Sequence, residues 1–177
     1  MINLKRHIPI ILLIFLVIML PSCSGGRTES KAPQNIISGF SCDMTVKYNN
    51  MSISARLTRP SAGVCCIEIK DPVPLSGMTL NWSGGEFSIS YLGVSVPFNE
   101  EILPDAGFSE GIINSLEAAV RETEFEIIKS GSNYIYSAIG SSGEYSLSFD
   151  ENTGVLTGIS IPSINLQADI SGFESMQ

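Results

Sequence analysis

From about residue 36 the chain alternates apolar and polar side chains, the two-residue period of a strand with one wet and one buried face. In "FSCDMTVKY", Phe40, Cys42, Met44, Val46 and Tyr48 fall on one face and Ser41, Asp43, Thr45 and Lys47 on the other. "MSISARLTR" repeats the pattern with Met51, Ile53, Ala55 and Leu57. Asn49-Asn50 between them suits a tight hairpin turn, because asparagine tolerates positive φ. That register sets Tyr48 against Met51 and Asp43 against Arg56, an ion pair worth some tenths of a kcal/mol. A third strand, "VCCIEIK", turns Cys65, Ile67 and Ile69 inward and leaves Cys66, Glu68 and Lys70 outside. "MTLNW", "EFSISY" and "VSVPF" continue the meander, with inward sets Met78, Leu80, Trp82, then Phe87, Ile89, Tyr91, then Val94, Val96, Phe98. Pro97 cannot donate to a ladder, which puts this last strand at an edge.

The period then changes. "SEGIINSLEAAVRE", Ser109 to Glu122, opens with a cap residue and an acidic first turn, and Ile112, Ile113, Leu116, Ala119 and Val120 make one apolar stripe. "EFEIIK", "NYIYSAI", "EYSLSF", "VLTGISI" and "INLQADI" return to strand character, divided by turns at 130–132, 140–143, 151–154 and 162–163. The prediction is a mainly β fold: about eleven antiparallel strands with one central helix. So many strands and a single helix bury their apolar face best as a strongly curved or closed sheet.

The N-terminus is of another kind. Lys5-Arg6 precede "IPIILLIFLVIML", Ile8 to Leu20, an uncharged run too short for the ~20 residues of a membrane span but matching a secretory signal. Residues 1–22 are read as a signal peptide. All 18 acidic residues but only 8 of the 10 Lys and Arg follow position 22, so the mature chain is near −10. Such a charge repels phosphate backbones and anionic headgroups, arguing against nucleic-acid binding and polybasic membrane docking. The sole histidine, His7, leaves with the signal, and with it any His-dependent triad or metal site.

"LPSC", Leu20 to Cys23, resembles the lipobox of bacterial lipoproteins: an aliphatic residue, two more of which the last is small, then cysteine. The resemblance implies cleavage before Cys23 and acylation of that residue, which becomes the lipid attachment site. Acyl chains at roughly 0.8 kcal/mol per buried CH₂ anchor a protein durably. Residues 23–35, containing "SGGRTESKAPQN", read as a flexible tether, and 36–174 as the folded domain. Of the other cysteines, Cys42 and Cys65 lie two strands apart, nearly 10 Å in a simple meander. A disulfide tolerates at most about 7 Å between Cα atoms, so these two are expected unbridged.

The order of lipobox, long meander, mid-chain helix, second meander and the turn "FDENTG" before "VLTGISI" is similar to the LolA/LolB-like superfamily of periplasmic lipoprotein carriers and related lipoproteins. The likeness covers roughly residues 36–172 and includes no catalytic motif. It implies an incomplete β-barrel whose opening is covered by helix, and a cavity of the kind that binds acyl chains in several members. This chain departs in showing one helix as cover and, like the receptor-type members, in being anchored itself.

Phe40, Tyr48, Trp82, Phe87, Tyr91, Phe98, Tyr145 and Phe149 line the candidate groove, unless they simply fill the core. Asp150 and Asn152 lack the further ligands of a calcium loop, so "DENTG" reads as a turn. Glu100-Glu101 and Glu122, Glu124 and Glu126 read as solvated carboxylates, and no serine has a base in view. The expectation is an exported, envelope-anchored monomer that binds or transfers a lipid or acyl ligand, is no enzyme, and uses neither cofactor nor metal. The competing expectation is an envelope protein-interaction module with a filled core.

Overall fold

The computed structural model describes residues 34–97, 107–122 and 124–176. The signal segment, Cys23, the tether up to residue 33, Phe98 and Glu100-Glu101 lie outside them. A short helix, α1 (Gln34–Ile37), leads into β1 (Phe40–Tyr48), β2 (Met51–Ser61) and β3 (Val64–Asp71). A 3-10 turn, Val73–Leu75, precedes β4 (Thr79–Ser83), β5 (Glu86–Tyr91) and β6 (Val94–Pro97). Helix α2 (Gly107–Arg121) separates these from β7 (Glu126–Ser130), β8 (Asn133–Gly140), β9 (Gly143–Asp150), β10 (Leu156–Ile161) and β11 (Leu166–Ser175).

All eleven strands form one curved antiparallel sheet, ordered β6-β5-β4-β3-β2-β1-β11-β10-β9-β8-β7. Its middle is the pairing of the first strand with the last, Phe40 opposite Ser175 through Tyr48 opposite Leu166. The sheet does not close: β6 and β7 are its two edges, and Pro97 sits on an edge as its missing N–H requires.

The β1–β2 hairpin has the predicted register, Tyr48 opposite Met51 and Asp43 opposite Arg56, with Asn49 at φ 51°. Arg56 lies 3.5 Å from Asp43 and 2.8 Å from Glu174, so the outer-face ion pair ties three strands, β2, β1 and β11. In β3 the predicted faces also hold: Cys65, Ile67 and Ile69 are buried, while Glu68 and Lys70 are exposed. Cys42 and Cys65 are free thiols, with β2 between their strands. The "DENTG" turn is closed from within, the Asp150 carboxylate accepting from the N–H groups of Asn152 and Thr153 and from the Thr153 hydroxyl.

Helix α2 departs from its prediction. It starts two residues before Ser109, which is therefore no cap but a buried residue of the first turn. Its buried face is also wider than the expected stripe. Phe108, Ser109, Gly111, Ser115 and Glu117 join Ile112, Ile113, Leu116 and Ala119, whereas Val120 is only half-buried.

Candidate functional site

The concave face has a filled half and an open half. Over β1, β2 and β8 to β11, α2 lies in the hollow. Tyr48 packs against Phe108 with ring centroids 6.2 Å apart. Gly111 lets the helix press on Ile161, Ile164 and Leu166; a Cβ there would stand 2.7 Å from the Ile164 Cδ1. At the other end a Cβ on Gly140 would stand 3.2 Å from the Tyr145 ring and 3.8 Å from the Ala118 Cβ. Phe40, Phe149 and Tyr145 are almost wholly buried, with Phe40 stacked on Phe173 at 4.9 Å. Under α2 there remains a cavity of about 10 Å³ by the β8–β9 turn, enough for one water. Burial raises the Tyr145 hydroxyl to about 12, and it has no hydrogen-bond partner among the described residues.

An ion pair inside this half fixes the helix. Arg59, wholly buried on β2, donates from Nε (3.1 Å) and Nη2 (2.9 Å) to the Glu117 Oε1 on α2. Its Nη1 donates to the Ile36 carbonyl of α1 at 2.8 Å, and Glu117 also accepts the Gly63 N–H of the β2–β3 turn at 3.0 Å. A buried guanidinium costs several kcal/mol in desolvation unless its donors find acceptors. Here three elements supply or share them, so sheet, cover helix and α1 are clipped at one point.

The open half is the inner face of β4, β5 and β6. Cross-strand pairing fixes its members: Cys65 opposite Trp82, Trp82 opposite Phe87, Leu80 opposite Ile89, Ile89 opposite Val96 and Tyr91 opposite Val94. Leu80 and Ile89 are buried, but Trp82, Phe87 and Tyr91 are only half-buried. Val94 is 64% and Val96 50% exposed. Trp82 and Phe87 meet edge to face at 4.8 Å. At the far end the Tyr91 hydroxyl donates to the Pro74 carbonyl, tying the 3-10 turn to the β5–β6 hairpin. Exposed Val73 and Leu92 flank this mouth. The outer side of the same wing is polar, with Asn81 donating to Thr79 and Ser90, and Ser90 to Ser95. So the apolar inner surface is one-sided, about 10 Å across two strand spacings and about 13 Å along β5.

Three solved structures are distantly similar to this chain. An uncharacterized conserved protein from Thermus thermophilus is 9% identical over 82% of this chain and 83% of its own, with a TM-score of 0.48. A LolA superfamily protein from Nitrosomonas europaea is 9% identical over 84% and 95%, with a TM-score of 0.41. A domain named as an outer membrane lipoprotein-sorting protein from Vibrio parahaemolyticus is 9% identical over 79% and 86%, also at 0.41. No family model matches the sequence, and no curated protein does. Identity this low carries no residue's role from one chain to another.

The eight aromatic positions chosen from sequence therefore divide. Phe40, Tyr48, Tyr145 and Phe149 belong to the filled half, where they pack and have no open surface to offer. Trp82, Phe87 and Tyr91 belong to the open wing. Phe98 follows β6 directly, outside the described residues. Val94 and Val96, expected among the inward residues, do share the inward parity but are exposed. Sequence reasoning missed the Arg59–Glu117 pair. Its signal was available: Arg59 has the same strand parity as Leu57, and Glu117 directly follows the stripe residue Leu116.

Proposed function

We propose that the protein is an envelope lipoprotein, anchored through acylated Cys23, whose half-barrel takes up a hydrophobic ligand on the β4–β6 wing. The observation that carries this reading is the one-sided apolar surface of Trp82, Phe87, Tyr91, Val94 and Val96, half-buried to exposed beside a half that α2 fills. Uptake there is burial of acyl surface at roughly 25 cal/mol per Å² removed from water, with no bond made or broken. Helix α2 is the wall of the site and part of its cover. The Arg59–Glu117 pair holds that helix to β2. No catalytic role is assigned to any residue.

Native mass spectrometry of the protein extracted from membranes is expected to show a co-purified lipid. Nile red, an uncharged dye that brightens in apolar surroundings, should bind the lipid-free chain and be lost in Val96→Glu. Absence of both signals removes the ligand reading. For the anchor, labelled palmitate should enter the wild-type chain but not Cys23→Ser, and the variant should leave the membrane fraction.

A second reading is favoured by the filled half, where about 10 Å³ is open under α2. On it the domain is an interaction module and the wing meets a protein instead of a lipid. Dye binding that a lipid cannot displace would support that reading.

A further inference from the structure

The two edges of the sheet are not alike. On each, a two-residue hairpin fixes which backbone groups point away from the neighbouring strand. Tyr91 and Val94 close the β5–β6 turn as a hydrogen-bonded pair, and bonded and non-bonded pairs alternate from there. Ile89 with Val96 is therefore bonded and Ser88 with Pro97 is not. The groups turned outward on β6 are those of Ser95 and Pro97, and Pro97 has no N–H to give. That edge is blunted. Ser130 and Asn133 close the β7–β8 turn in the same way, which makes Ile128 with Ile135 and Glu126 with Ser137 the bonded pairs. Ile127 and Lys129 then direct N–H and C=O alike away from the sheet, and these four groups have no partner among the described residues.

β7 also lacks the usual protection. Proline and outstretched lysines keep natural edges from pairing. β7 has no proline, and its lysine is drawn back over its own sheet, bonded to Glu151 and 5.8 Å from the centroid of the Tyr134 ring. On the outer face Ile128 is 51% exposed beside half-buried Ile135, and Ile139 on β8 is 82% exposed.

We infer that β7 pairs with β7 of a second copy, antiparallel about a two-fold axis through Ile128, giving a dimer where the sequence alone predicts a monomer. To continue the sheet with its apolar face on one side, inward residues must oppose inward ones. The axis then passes through one of the three middle residues of the strand. Through Lys129 it sets two lysines face to face, which is unfavourable. Through Ile127 it opposes Glu126 to the exposed Ile128, and Lys129 to buried Phe125. Through Ile128 it opposes Ile127 to Lys129 twice, with four backbone hydrogen bonds, and Glu126 to Ser130, so that no charge meets its like. Ile128 faces its own copy in the close non-bonded position, Cα atoms about 4.5 Å apart. Ile135 and Ile128 of one copy and the same two of the other then form a single apolar row across the outer face.

Five residues make a small interface, short of the roughly 1,200 Å² of a stable free complex. Two copies held to one membrane by the 23–35 tether meet at a raised local concentration, which offsets that shortfall. To that extent the inference rests on the anchored reading of Cys23.

Disulfide trapping reads the register. In membranes carrying the full-length chain with Cys66→Ser, Ile128→Cys should give a band of twice the chain's mass on a non-reducing gel after mild oxidation. Glu126→Cys, at an equally exposed position, stands about 13 Å from its copy and should give roughly five-fold less. Co-expressed Glu126→Cys and Ser130→Cys chains should cross-link to each other. Lys129→Pro removes an outward N–H, as Pro97 does on the other edge, and leaves the β8 ladder intact. It should abolish the Ile128→Cys band with the far-UV circular dichroism retained, and the cysteine pairs decide the register whether or not this variant folds.

Equal bands from Ile128→Cys and Glu126→Cys overturn the inference. So does a cross-link of any other mass, which names a different protein as the occupant of the edge, and so does the absence of any cross-link. A chain found outside the membrane fraction removes the anchor and not the pairing. The same cysteines in a concentrated soluble Cys23→Ser chain should then trap the same register, and failure there overturns it.

Discussion

A charge on an apolar face is the residue-scale signature of this molecule. Breaking the Arg59–Glu117 pair from one side leaves the other group buried without its counter-charge. Glu117→Gln should therefore lower unfolding free energy by about 3–5 kcal/mol, read from urea denaturation. Replacing both by methionine should cost clearly less than the sum of the single changes, because no uncompensated charge is left inside. Burial also holds the thiols: Cys42 and Cys65 are each pushed up to about 12. At pH 8 the folded protein should leave both unmodified by iodoacetamide over hours, and both should react promptly in denaturant. Outside, Asp43 is held below the ordinary carboxylate range, first by its hydrogen bond from Lys70 and then by the charges of Lys70 and Arg56. A carboxyl lowered on folding stabilises above its unfolded pKa of about 3.9 and ceases to as pH falls through its folded value. Asp43→Asn should flatten the acid side of the Tm-versus-pH curve while leaving its alkaline side in place.

At the scale of elements, alternation is a strong signal because a strand between core and water has no other way to satisfy both. That is why eleven strands, the β1–β2 register and the faces of β3 were legible. What alternation cannot give is how much of an inward face is covered. Simple lengths do give it: fifteen helical residues span about 22 Å, against roughly 50 Å across eleven strands, so one helix leaves much of the sheet bare. The three wing aromatics and the four core aromatics were indistinguishable for this reason, since both sets have inward parity. Ser109 was misread because serine before glutamate mimics a cap, while the true start at Gly107 has no polar signal of its own. Glycine spacing hides a further constraint where α1 meets β1. A Cβ at Gly39 would stand 2.5 Å from the Pro60 carbonyl oxygen, a backbone atom that cannot swing aside. Gly39→Ala should cost about 1–3 kcal/mol in a urea titration, more than the same change at Gly111, where the contacts are ends of flexible isoleucines.

For the molecule as a whole, the open sheet makes occupancy and stability separable. The wing is peripheral to the core that α2 and the central strands share, so Val96→Glu should abolish dye uptake while shifting the urea midpoint little. The central seam behaves in the opposite way. Phe40 is paired with Ser175, and the Met176 N–H is bonded to the Gly39 carbonyl at 2.7 Å, so both ends of the domain leave it side by side. The strand at the heart of the sheet therefore waits for the last ten residues of the domain to arrive. A ribosome-bound or partly threaded chain can make its outer hairpins early, but not its centre. Joining the adjacent ends by a short linker and cutting at a hairpin tip should give a rearranged chain that forms this seam first and folds faster.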